Sequence, residues 1–152
     1  MDKKRKLFIL DLFSTFLLLI CIITIYICFS EPYWNLSNGN FFTILDFPKS
    51  DVRFWHITPA VSFILFIMSF NYKWLNYISI IISFILWIVT VFSLLNIGVI
   101  NSQPPDINNG LTVTPGIGHT MIFWSLMGTI FIYIFHIVVS RLIEKKCNAR
   151  TN

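Results

Sequence analysis

Four apolar blocks, separated by short polar segments, constrain this chain more than any other feature. Leu7–Phe29 runs for 23 residues with one charge, Asp11, and Phe54–Tyr72 runs for 19 with none. Trp74–Ile100 and Gly116–Ser140 are likewise free of Asp, Glu, Lys and Arg. A helix crosses the hydrocarbon of a bilayer with about 20 apolar residues. The chain is 56% hydrophobic and only 12% charged, against about 25% charged residues in a soluble domain. There is too little polar surface here to coat a soluble globule of 152 residues. The expectation is an all-α membrane protein, an antiparallel four-helix transmembrane bundle forming a single domain over 1–152. Its spans fall at about 7–29, 54–72, 74–98 and 117–140, with outer loops at about 30–53 and 99–116.

Charge sets the orientation. Lys3, Lys4, Arg5, Lys6, Lys73, Arg141, Lys145, Lys146 and Arg150 share one side, nine of the eleven basic residues. By the positive-inside rule that side is cytoplasmic, so both termini are expected there. The opposite face holds Lys49 and Arg53 with Glu31, Asp46, Asp51 and Asp106, a local charge of −2. A plasma membrane location fits a multi-pass chain of this kind. The basic residues flank apolar spans, so they read as topology signals and lipid contacts, and no nucleic-acid partner is expected. Asp11 would cost about 2.5–3.5 kcal/mol at the centre of a span, yet it lies near the end of its block and can approach the headgroups. The block is too long for the apolar region of a signal peptide and is read as a retained span. Cys21 and Cys28 are about 10 Å apart along a helix, too far to form a disulfide with each other.

The first outer loop is the richest stretch. Residues 31–55 hold Trp34, Trp55 and five charges. Tyr33–Leu36 and Phe41–Leu45 are aromatic and β-branched runs around Ser37-Asn38-Gly39-Asn40, and Asn-Gly is a strong hairpin signal. Asp51–Trp55 reads as a third extended piece. A small extracytoplasmic β-hairpin or sheet is therefore expected in this loop. Tyr33, Trp34, Phe41, Phe42, Phe54 and Trp55 are its candidate contact residues. Asn35-Leu36-Ser37 matches the N-glycosylation sequon, which makes Asn35 a candidate acceptor.

Elsewhere the polar residues are sparse. In the third block Ser79, Ser83, Leu86, Thr90, Ser93 and Ile97 recur three and four apart, the spacing of a close-packing stripe on a membrane helix. Ser125 and Thr129 continue such a face on the fourth, together with His136. No nucleophile triad, phosphate loop or metal spacing occurs, so no catalytic residue, cofactor or metal is expected. His56 and His119 fall at the outer ends of spans, where with a carboxylate they are geometrically permitted a metal or proton site. The blander reading has them bonding to water or backbone. His136 lies inside a span near its cytoplasmic end, and an ionisable group there is a functional candidate or bonds a neighbouring helix, Asp11 being one partner. Cys147, among basic residues past the last span, is a candidate for palmitoylation.

This layout resembles that of the claudin and peripheral-myelin-protein group of four-span proteins. Shared features are cytoplasmic termini, a longer first outer loop, a tight inner turn and a shorter second loop, with Pro32-Tyr33-Trp34 leading into strands. The Gly-Leu-Trp and paired Cys of the claudin first loop are missing. The resemblance implies a non-enzymatic protein acting through lateral or trans contacts of its outer loops, with copies of itself or a larger membrane protein. Two other classes remain open: an accessory subunit of a channel, transporter or membrane enzyme complex, and a small transporter or membrane enzyme using His56 and His119.

Overall fold

The computed structural model describes residues 3–47, 49–102 and 110–148. Four helices dominate it: α1 (Lys3–Ile27), α2 (Lys49–Met68), α3 (Leu75–Asn101) and α4 (Ile117–Asn148). Three of them, α1, α3 and α4, are long and apolar enough to cross a membrane, and the apolar part of α2, Val52–Met68, is shorter. The first block thus begins its helix inside the basic cluster and ends it at Ile27. The second is helical only to Met68, because the chain closes into a turn in which the Tyr72 amide donates to Met68 O and the Leu75 amide to Tyr72 O.

Each helix buries one stripe and exposes the rest. On α1 the buried residues are Leu10, Ser14, Leu18, Ile22 and Ile25, three or four apart, as one face of a 3.6-residue period requires. Phe8, Leu12, Phe13, Phe16 and Ile20 on the same helix are exposed. So much outward apolar surface is what a lipid environment asks for and water penalises. α1 packs on α4, α4 on α3 and α3 on α2, and α1 also meets α2.

Pro59 lies inside α2, where a proline removes one helical donor and loosens the preceding turn. The Tyr26 hydroxyl of α1 donates to the carbonyl of His56 on that turn.

A three-stranded antiparallel sheet closes the end of the molecule away from the termini. Its order is β2 (Phe41–Phe42), β1 (Trp34–Leu36), β3 (Val113–Pro115). Trp34 pairs with Phe42 on one side and Pro115 on the other, and Asn35 with Phe41 and Thr114. Gly39 takes φ +86° in the turn, the conformation its missing Cβ permits. Pro115 sits on an edge strand, where a residue without an N–H is tolerated.

The expected third strand at Asp51–Trp55 is not one: those residues are helical, in α2. The central strand has two edges, β2 fills one, and the second loop supplies β3 for the other. Phe41–Leu45 is also shorter as a strand than expected, since Ile44–Asp46 turns into a 3-10 helix. Asp46 Oδ2 accepts from both the amide (2.7 Å) and the hydroxyl (2.8 Å) of Thr43, so extension past Phe42 competes with a local cap.

Two clamps hold β3. Asn101 at the end of α3 donates through Nδ2 to Val113 O and accepts from the Val113 amide at Oδ1, each at 2.7 Å. At the start of α4 the Gly118 amide donates to Pro32 O at 2.9 Å. A Cβ on Gly116 would stand 2.0 Å from Pro32 O, so only glycine lets α4 begin this close to the linker.

Candidate functional site

The sheet end is built on a mixed core. Ile25, Cys28, Phe29, Tyr33, Ile44, Trp55, Leu86, Ile122 and Leu126 are buried together, with Trp34 and Phe47 partly buried against them. The six aromatic contact candidates therefore separate. Tyr33 and Trp55 are core residues and Trp34 is half-buried, whereas Phe41, Phe42 and Phe54 are exposed. Phe41 and Phe42 are 55% and 44% exposed, and Leu45 beside them 53%. β2 is an edge strand of the sheet, with these apolar side chains exposed along it. Asn35 lies half-buried in the central strand.

Tyr33 is anchored by a polar chain that composition does not reveal. Its hydroxyl stands 3.2 Å from Ser93 Oγ on α3, and Ser93 Oγ donates to Thr90 O at 2.7 Å. His119 Nε2 from α4 lies 2.8 Å from the same hydroxyl and 3.1 Å from Thr90 O. A carbonyl only accepts, so Nε2 carries the proton and the Tyr33 hydroxyl donates to Ser93. Burial pushes the Tyr33 phenol above its ordinary pKa, which keeps it a donor.

His119 is thus fully engaged inside the chain. His56 is exposed, its Nδ1 2.8 Å from Val52 O and its ring on Phe29. The two histidines occupy separate settings joined by no contact. Among the described residues no group of three or more His, Cys, Asp or Glu is placed to hold a metal ion. Asp106 lies outside the described residues, as does the side chain of Asp51.

The hydroxyl stripe of α3 is internal. Ser79, Ser83 and Thr90 are buried, as is Thr129 of α4, while Ser93 and Ser125 are half-buried. Ser62 of α2 joins Ser83 Oγ at 2.9 Å and Tyr133 OH at 2.8 Å, a hydroxyl knot between three helices. Most of this stripe is thus spent on packing and hydrogen bonds within the chain.

The termini end holds a cavity of about 210 Å³ lined by α1, α3, α4 and the turn that joins α2 to α3. At its inner wall His136 Nε2 lies 2.8 Å from Asp11 Oδ1, and His136 Nδ1 lies 3.2 Å from Asn76 Nδ2. With the Asn76 amide donating to Nδ1, the imidazole proton sits on Nε2 and is given to Asp11. Phe66 and Phe70 pack their rings on His136. At the mouth Lys73 pairs with Glu144, and Arg141 donates to Tyr77. The Lys73 hydrogen bond holds the Glu144 carboxyl below its usual range. Cys147 is half-buried in the last turn of α4.

No family model, curated protein or solved structure matches the chain. Sequence reasoning does not find Asn76 or the Tyr33–Ser93–His119 chain. The one signal for Asn76 is an amide inside an otherwise apolar block.

Proposed function

We propose that this is a four-span integral membrane protein of the plasma membrane that works through protein contacts of its sheet end. Both termini lie on the cytoplasmic side, and the sheet faces outward. The observation that carries this reading is the edge strand β2, with Phe41 and Phe42 exposed beside Leu45. An unpaired strand edge with apolar side chains is a template for adding a strand from another chain. The partner is a second copy or a larger membrane protein, which joins the homotypic and accessory-subunit readings in one surface. The claudin-like reading remains a resemblance of layout, with Pro32-Tyr33-Trp34 leading into the strands.

The test needs residues whose loss leaves the core intact. Trp55 is buried and unsuitable, so Phe41→Ser with Phe42→Ser is the variant. Crosslinking in intact cells, followed by recovery of the tagged chain, should show the loss of a specific adduct. Equal recovery of the same adduct from the double variant overturns the contact reading. Orientation is tested separately with Asn38→Cys in an otherwise thiol-free chain. Labelling from the outer side is expected, and labelling only from the cytosol overturns the topology. Gly39 is avoided for this purpose because of its left-handed φ.

A further inference from the structure

The cavity at the termini end is chemically unlike the rest of the interior. Its wall carries Asp11, Glu144, Lys73 and Arg141 around Asn76 and His136, in a chain with only 12% charged residues. Helix packing does not need such a set, since Ser62, Ser83 and Tyr133 join three helices with hydroxyls alone.

Moreover, the inner wall is not satisfied by the protein. Asn76 is 3% exposed and its Oδ1 is buried with no hydrogen-bond partner, a desolvated acceptor left without compensation. Asp11 gives Oδ1 to His136, and its side chain stays 27% exposed. Acceptors therefore gather at the inner wall, and they call for a group rich in N–H donors.

The mouth has the opposite character. Arg141 stands five positions past His136, about 7.5 Å along the helix, and Lys73 reaches Glu144 nearly one turn further on. Lys73 has three N–H donors and Arg141 five; Glu144 and Tyr77 take one each. Arg is suited to bidentate recognition of phosphate. Leu7, Phe70 and Ile137 also line the cavity and suit a short hydrocarbon link. The two acids and two cations sum to zero, so a zwitterion enters without leaving a net charge behind.

We propose that this cavity binds an aminoalkyl phosphate, with its primary ammonium against Asp11 and Asn76 and its phosphate against Lys73 and Arg141. The same chemistry is carried by a free small molecule and by the headgroup of an aminophospholipid. A quaternary ammonium lacks the N–H donors that Asp11 and Asn76 require.

The test uses the full chain in nanodiscs of phosphatidylcholine alone, titrated calorimetrically with O-phosphoethanolamine. A parallel preparation contains phosphatidylethanolamine, and native mass spectrometry reads the retained lipid. Saturable binding in the first arm identifies a soluble ligand. Selective retention of phosphatidylethanolamine in the second identifies a headgroup. In either arm Asp11→Asn and Arg141→Gln should each weaken binding about tenfold or more. Arg141 is exposed, so its variant reports on binding even if Asp11→Asn disturbs folding. The proposal is overturned if neither arm shows binding. It is also overturned if inorganic phosphate or ethanolamine alone binds as well, or if Arg141→Gln leaves the affinity unchanged.

Discussion

The Tyr33 hydroxyl lies 3.2 Å from Ser93 Oγ, a bond between residues 60 apart that ties the linker after α1 to α3. Because Ser93 is itself held by Thr90 and shared with His119, one hydroxyl sets the position of the sheet relative to two helices. Tyr33→Phe keeps the ring and removes only the donor. It should lower stability by about 1 kcal/mol, or about 2–4 °C in Tm. Thermal unfolding in one detergent at fixed protein concentration measures the difference, and an unchanged Tm would deny the bond any energetic role.

The two ends of the second loop predict opposite responses to the same small change. A Cβ at Gly116 would lie 2.0 Å from the backbone oxygen of Pro32, while one at Gly98 meets nothing within 4 Å. Gly116→Ala must push α4 away from the linker and should reduce the yield of folded protein severely. Gly98→Ala, inside α3, should be neutral or stabilising by up to about 1 kcal/mol. Detergent-solubilised yield and melting temperature of the two variants, side by side, check both.

The Lys73–Glu144 pair gives a pH signature of definite sign. The hydrogen bond from Lys73 lowers the Glu144 carboxyl below the ordinary glutamate value. The folded chain therefore binds fewer protons here than the unfolded chain as pH falls past that value. The contribution is fully present above the ordinary carboxylate range and is lost as pH drops through the depressed pKa. Lys73 is highly exposed, so solvent and salt keep the effect small. In Glu144→Gln the acid limb of a stability–pH curve should flatten slightly. An identical acid limb in variant and parent at low salt would argue against the pairing.

Exposure at the β2 edge predicts a variant that changes association alone. Phe41 and Phe42 are outside both buried clusters, so Phe41→Ser with Phe42→Ser should leave stability within about 0.5 kcal/mol of the parent. Loss of a crosslinked adduct together with a large fall in Tm would mean that the edge strand is structural instead.

Much of the architecture is legible in the residue order. Long uncharged runs announce four helices, and Asn38-Gly39 between aromatic runs announces a hairpin that includes Trp34–Leu36. Hydroxyls spaced three and four apart on α3 show that one face of it packs closely. The site is less legible. Asp11 and His136 stand out individually as ionisable residues in apolar blocks, but Asn76 does not, and nothing marks Tyr33, Ser93 and His119 as neighbours.

Sequence alone determined the helical segments, the turn and the side on which the basic residues gather. Each depends on properties read within a few residues, namely hydropathy, periodicity and the φ that glycine allows. Tertiary structure decided that Val113–Pro115, and not Asp51–Trp55, completes the sheet, and that Asp11 meets His136 across 125 residues. Strand edges and buried hydrogen-bonding groups take whichever partner the packing of distant segments brings within reach. That choice belongs to the assembled chain.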